Sequence, residues 1–182
     1  MKLLPTTIEG VLLVESRVYH DDRGFFNEVH HASKLAAEGF TTNFVQDNHS
    51  RSGKNVLRGL HFQSRNPQGK LVRPVTGSIF DVAVDLRRSS PTFGRWYGTT
   101  LEAGDGRQLW IPPGLAHGFL VMSGSADVMY KCSELYDLDS DKVLAWNDPT
   151  VGITWPIEKG VTPLLSPRDA AAPPLSDITT FD

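Results

Sequence analysis

The chain has little cysteine: Cys132 is the only one in 182 residues. It cannot close an internal disulfide, and a lone cysteine of this kind is expected as a small buried apolar residue. The missing disulfide framework suits a reducing compartment, so a cytoplasmic location is expected. Long hydrophobic runs are missing too. No stretch approaches 18 uninterrupted apolar residues, which excludes a transmembrane helix. Pro5, Thr6 and Thr7 interrupt the apolar start Met1-Lys2-Leu3-Leu4 before it reaches the length of a secretory leader. There is no basic excess either: 18 Lys and Arg stand against 21 Asp and Glu, a net charge of −3. Nucleic-acid partners are therefore not expected. A local basic pocket for one phosphorylated ligand remains compatible with that balance.

Helix signal is sparse. His31 to Glu38 reads as one short helix, with Gly39 as the residue just past its end. Ser166-Pro167 reads as an N-cap followed by proline at the first helical position, opening a turn through Arg168, Asp169 and Ala170. The tail from Ala171 to Asp182 carries Pro173-Pro174 and little pattern.

Strand signal fills the rest. Sixteen glycines and twelve prolines separate short runs over 11–19, 55–62, 71–75, 79–86, 96–101, 108–111, 118–122 and 126–135. The run Ile79 to Leu86 alternates, with Phe80, Val82, Val84 and Leu86 on one face and Asp81 and Asp85 on the other. With 40% hydrophobic and 21% charged residues, the composition is that of a globular protein. A chain of this length fits one domain over residues 1–182, burying roughly 70% of its unfolded surface. Many short strands at near-regular spacing predict an all-β sandwich or barrel.

Histidine titrates near neutral pH, so the six histidines are the first candidates for chemistry. His20, His30, His31 and His49 sit near loop or helix signals and read as structural or exposed. His61 lies near the end of Val56-Leu57-Arg58-Gly59-Leu60-His61-Phe62-Gln63. His117 follows the turn Pro112-Pro113-Gly114 and opens another strand. Metal-binding barrels of the cupin type use a His-x-His pair, a later Glu and a distant His after a Pro-x-Gly turn. Here the turn and His117 fit, but Gln63 stands where the second histidine belongs, and Lys70 stands where the acid would be. An ammonium there repels a divalent cation, and two histidines without a carboxylate make a poor site. A histidine, a lysine and a tyrosine inside a barrel suit proton transfer beside a carbonyl instead.

The segments Asp22-Arg23-Gly24-Phe25-Phe26-Asn27-Glu28, Gln46-Asp47-Asn48-His49-Ser50, Leu57 to Gln63, Gln68-Gly69-Lys70-Leu71-Val72, Gly77 to Arg87, Pro112 to Phe119, Tyr130-Lys131-Cys132 and Trp146-Asn147-Asp148 occur in one order. From about residue 5 to residue 175 the chain closely resembles the dTDP-4-dehydrorhamnose 3,5-epimerase family of cupin-type nucleotide-sugar epimerases. The resemblance implies a double-stranded β-helix, or jelly-roll, barrel with a few short helices. It implies a homodimer with exchanged N-terminal strands, no metal and no organic cofactor. The implied substrate is dTDP-4-dehydro-6-deoxy-D-glucose and the product dTDP-4-dehydro-L-rhamnose, on the way to rhamnose. C3 and C5 both flank the C4 ketone, so one enolate chemistry inverts both centres.

By the same resemblance, His61 is the general base and Asp169 the carboxylate that orients it. Tyr130 is the acid on the opposite ring face, and Lys70 stabilises the C4 enolate oxygen. Arg58 holds the diphosphate with its bidentate fork. Gln46 and Asn48 share a strand parity that points both into the barrel. Arg23, Phe26 and Glu28 match a segment that reaches the neighbouring subunit's site, His117 lines the pocket, and Arg168 keeps the charge of a position expected to hold lysine. Two points stand apart. Arg58 and His61 differ by three, so a regular strand puts them on opposite faces, unless Gly59 marks a bulge or Arg58 reaches around the rim. Leu135 occupies a position where an aromatic would stack on thymine, which leaves Tyr136 for that contact. The competing readings are a mono-epimerase of a related 4-keto sugar, a non-catalytic sugar-nucleotide binding module and a metal-dependent cupin oxygenase.

Overall fold

The computed structural model describes residues 1–182. Its strands are β1 (Lys2–Pro5), β2 (Leu12–Glu15), β3 (Val18–Asp21), β4 (Gly24–Asn27), β5 (Gln46–Gly53), β6 (Leu57–Gln63), β7 (Lys70–Thr76), β8 (Ser78–Asp85), β9 (Trp96–Glu102), β10 (Arg107–Ile111), β11 (Leu115–Val121), β12 (Ser125–Cys132) and β13 (Asp141–Val143). Two short helices join them, α1 (Ala32–Ala37) and α2 (Pro167–Ala170), with a 3-10 turn over Leu175–Asp177. No helix is long and apolar enough to cross a membrane.

One sheet runs β1-β2-β10-β7-β12-β5 and the other β13-β6-β11-β8-β9, while β3 and β4 form a separate hairpin. From β5 to β12 successive strands swap sheets, apart from the β8–β9 hairpin. That is the winding of a jelly roll, the all-β barrel expected from the sequence. Ile79, Ala83, Leu101, Leu109, Phe119 and Val128 belong to the largest buried cluster, contributed by strands of both sheets. A second cluster lies under the C-terminal segment, where Val82, Val84, Leu86, Leu60 and Phe62 meet Trp155, Leu175, Ile178 and Phe181. On the six-stranded sheet, Val14, Leu71 and Trp110 pack with Leu35 of α1 and with Phe40.

Both faces of β8 are therefore buried, and Asp81 and Asp85 are fully enclosed. Asp85 accepts hydrogen bonds from the Arg87 backbone N–H (3.0 Å), Arg87 Nε and Nη2 (2.8 Å each), Ser90 Oγ (2.6 Å) and Thr92 Oγ1 (2.7 Å). Burial pushes the Asp85 carboxyl up, but these donors outweigh it and hold it at about 2. The folded value lies below the unfolded one, so the stabilisation is complete above the ordinary carboxylate range and is lost as pH falls through about 2. The expected gap in chemical denaturation between wild type and Asp85→Asn is about 2 kcal/mol at neutral pH, at 1.36 kcal/mol per pKa unit, closing as the pH falls below about 4. A gap that stays constant down to pH 2 would contradict this account.

The predicted helices form within a residue of their expected ends. His31 Nδ1 accepts from the Lys34 N–H at the start of α1, and Gly39 beyond its end has φ +87°. Ser166 Oγ accepts from the Asp169 N–H at the start of α2. The predicted strand over 11–19 is two strands, broken at Ser16, whose N–H bonds the Gly106 carbonyl at 2.9 Å. The tail is ordered against the second sheet: the Phe181 N–H bonds the Leu86 carbonyl, and its ring meets Phe62 edge-on at 5.9 Å.

Candidate active site

Polar side chains interrupt the apolar interior at one end of the barrel. The six-stranded sheet supplies Gln46 and Asn48 from β5, Lys70 from β7 and Tyr130 from β12; the facing sheet supplies His61 from β6 and Asp141 from β13. Together they line a cavity of about 310 Å³. His61 also borders a second cavity, of about 520 Å³, whose charged walls are Arg51, Arg58, Arg168 and Asp169.

A bulge sets the position of His61. His117 pairs with His61 and Phe119 with Arg58, so Gly118 alone faces Gly59 and Leu60. Gly59 has φ +125°, and a Cβ there would lie 2.6 Å from Gly118 Cα and 2.8 Å from the His117 carbonyl oxygen. Only glycine fits. The extra residue corrects the parity, and Arg58 and His61 line the same cavity.

His61 Nε2 lies 2.7 Å from Asp169 Oδ1. Asp169 is buried at the start of α2 and also takes the Gly59 N–H at 3.5 Å. Burial raises its carboxyl, but the bonds from His61 and the capping Ser166 outweigh it and hold it below the usual carboxylate range. An ionised carboxylate only accepts, so Nε2 carries the proton and Nδ1 keeps the lone pair of the neutral ring. The arrangement is that of an oriented general base.

Lys70 is buried with no ion-pair partner, and its Nζ donates only to the His61 carbonyl, at 3.4 Å. Burial pulls its pKa down, against the pull of Cys132, Asp141 and Asp81. Such an ammonium is a preorganised donor for an oxygen that gains negative charge. Burial raises the Tyr130 phenol. Its ring lies 6.3 Å from that of His117, which is buried and bonded through Nε2 to Asp81 Oδ1 at 2.7 Å. Burial pushes the His117 pKa down, against Asp81.

The family model of dTDP-4-dehydrorhamnose 3,5-epimerase matches residues 5–177. The chain belongs to this family. It is 48% identical over 182 residues to a dTDP-4-dehydrorhamnose 3,5-epimerase of Pseudomonas aeruginosa, covering 100% of this chain and 99% of that one. It is 50% identical over 171 residues to one from Neisseria gonorrhoeae, where 94% of this chain spans 52% of the relative's length. Among solved structures, dTDP-6-deoxy-D-glucose-3,5-epimerase from Legionella pneumophila, in complex with dTDP-4-keto-L-rhamnose, superposes with a TM-score of 0.92 at 47% identity, covering 98% of this chain and 94% of that one.

Among the residues expected from the epimerase resemblance, His61, Asp169, Lys70, Tyr130, Gln46, Asn48, Arg58 and Arg168 come together around the two cavities. Gln46 Nε2 donates to Asn48 Oδ1 (3.0 Å), and Asn48 Nδ2 to the buried Cys132 thiol (3.4 Å). Arg58 Nε donates to Ser52 Oγ at 2.9 Å. Arg168 Nη1 donates to Asp141 Oδ2 at 2.6 Å, which also takes the Tyr136 phenol at 2.8 Å. His117, expected to line the pocket, is instead buried beside the Tyr130 ring and lines neither cavity. Arg23, Phe26 and Glu28 are elsewhere, on and beside the isolated β3–β4 hairpin. There Arg23 is paired with Asp21, Glu28 with Lys34, and the Phe26 ring is exposed. Asp141, Ser50 and Asp81 were missed in the sequence reading. Ser50 Oγ and Asp81 Oδ2 are buried without a hydrogen-bond partner. Strand parity with Asn48 was the available signal for Ser50; nothing local marked Asp141. No cluster of three or more His, Cys, Asp or Glu side chains with metal-holding geometry is present.

Proposed function

We propose that this chain inverts C3 and C5 of dTDP-4-dehydro-6-deoxy-D-glucose through a C4 enolate and releases dTDP-4-dehydro-L-rhamnose. His61 Nδ1 takes the proton from a carbon beside the ketone, the electron pair moves to the C4 oxygen, and Lys70 donates to that oxygen. Tyr130 returns a proton to the other face of the ring, and Asp169 holds the imidazolium that forms. The observation that carries this reading is the division between sheets: the base stands on β6 of one, while the phenol and the ammonium stand on β12 and β7 of the other, across one cavity. Epimerisation needs proton removal and return on opposite faces, and facing sheets supply that.

Arg58 and Arg168 border the second cavity, where a diphosphate suits their guanidinium forks. In the same proposal residues 1–182 form one domain that works as a cytoplasmic homodimer. Exchange of N-terminal strands carries Arg23, Phe26 and Glu28 to the neighbouring subunit's cavity. The exposure of Arg23 and Phe26 on a hairpin apart from both sheets, with Glu28 just beyond it, supports this.

Proton NMR of the 4-keto sugar nucleotide in D₂O, without added metal, tests the reading. Deuterium is expected at both C3 and C5, with the L-rhamno product trapped by a reductase. Exchange at one carbon alone would make the chain a mono-epimerase, and binding without exchange would make it a binding module.

A further inference from the structure

Gln63 stands on β6 two residues after His61, in the position where a metal-binding cupin carries its second histidine. It is only 3% exposed. Its Nε2 donates to the carbonyls of Asn66 (2.9 Å) and Leu135 (3.3 Å), and its Oε1 accepts from the Asp137 N–H (3.0 Å). Both amide hydrogens and the oxygen are thus spent on the chain itself.

The segment it holds has no ladder of its own. Residues 133–137 follow the end of β12 without regular structure, and their polar backbone groups need partners. Glutamines supply them residue by residue. Gln68, itself buried, donates to the Glu134 carbonyl at 2.8 Å. Gln63 takes Leu135 and Asp137, and Gln46 Oε1 accepts from the Tyr136 N–H at 2.9 Å. Asp141, which faces Gln63 across the β6–β13 ladder, accepts the Tyr136 phenol. This fixes a tyrosine that is 51% exposed at the edge of the cavity lined by His61, Lys70 and Tyr130.

We infer that Gln63 is a positioning residue for the nucleotide half of the substrate. It fixes the Ser133–Asp137 segment so that the Tyr136 ring stands as a preformed stacking surface at the mouth of the cavity. The inference rests on the proposed reaction, which places the sugar at His61. That leaves a flat aromatic base for the exposed ring at the rim. A preformed surface binds without first ordering the segment. The amide is required because it donates and accepts at once. Glutamate in this place would turn a carboxylate on two carbonyl oxygens, and methionine fills the space without a polar atom.

The experiment compares wild type with Gln63→Met and Gln68→Met, using dTDP in isothermal titration calorimetry and the sugar nucleotide in steady-state and deuterium-exchange assays. For Gln63→Met the Kd for dTDP and the KM are expected to rise about tenfold, with kcat and exchange at saturation within about threefold. Gln68→Met, which loses one bond, moves the same way by about threefold. Tyr136→Ala raises the Kd in wild type and adds little in Gln63→Met, since the clamp and the ring act as one unit. If Gln63→Met does not fold, Gln68→Met decides. Folded variants that bind dTDP as wild type does, or that lose kcat at unchanged KM, overturn the inference and leave the reaction standing. Wild type that shows neither dTDP binding nor exchange overturns both.

Discussion

His61→Ala is expected to lose turnover and deuterium exchange together, by at least 10²-fold, while the Kd for dTDP stays within about threefold. General-base catalysis contributes about 10²–10⁴-fold, and no second group is placed to replace it. His117, a buried histidine that lines neither cavity, has Nε2 committed to Asp81, and burial disfavours its charged form. Lys70 is buried and donates to the His61 carbonyl. Affinity is expected to survive because the cationic wall of Arg58 and Arg168 does not depend on the imidazole: Arg58 is held by Ser52 and Arg168 by Asp141. The substitution leaves Asp169 with the Gly59 N–H and the Ser166 cap, so the start of α2 keeps its anchors. The checks are steady-state turnover, proton NMR in D₂O and calorimetric titration with dTDP. Turnover at the wild-type rate would remove His61 from the mechanism. A parallel loss of dTDP affinity would show that the substitution had damaged the pocket rather than the base.

The strands that bury apolar residues were legible in the sequence, including β6, β7 and β12, which also carry site residues; the wholly polar strand β5 was not. Alternation marked β8, and apolar runs marked β6, β7, β9, β10, β11 and β12, because one face of each packs against other apolar side chains. Strand β5 reads Gln46-Asp47-Asn48-His49-Ser50-Arg51-Ser52-Gly53, with no apolar residue at all. Its inner face looks into a polar cavity, so the periodicity is present but is carried by Gln46, Asn48 and Ser50. The sheet partner β12 supplies the order that composition hides, pairing with β5 along its whole length. Strands β1, β4 and β13 were missed because each is only three or four residues long. Asp81 illustrates the limit for the site. Its place opposite the apolar face of β8 was legible, but its bond to His117 joins residues 36 positions apart and exists only through the β8–β11 ladder. The Arg58–His61 parity conflict was a real signal. The strand does break there, and it breaks at Gly59, the one residue whose lack of a side chain lets Gly118 approach.

Tyr130→Phe is expected to separate two processes that are coupled in wild type. With the phenol gone, His61 still removes the proton, and Lys70 still meets the enolate oxygen. The only proton then within the mechanism is the one His61 has just accepted, which exchanges with solvent and returns to the face it left. Deuterium therefore enters the substrate with retention of configuration, while formation of the L-rhamno product falls by about 10²-fold or more, the range typical of general acid–base groups. Phenylalanine keeps the ring that packs against the apolar cluster containing Val72 and Phe119, so stability is expected to change little. Burial raises the Tyr130 phenol above its ordinary value, which keeps it protonated and ready to donate across the neutral range. The measurement is NMR in D₂O with product trapped by a reductase, comparing isotope incorporation with inversion in one sample. If incorporation and inversion fell by the same factor, Tyr130 would belong to proton removal or to binding, and the acid on the far face of the sugar would have to be another group.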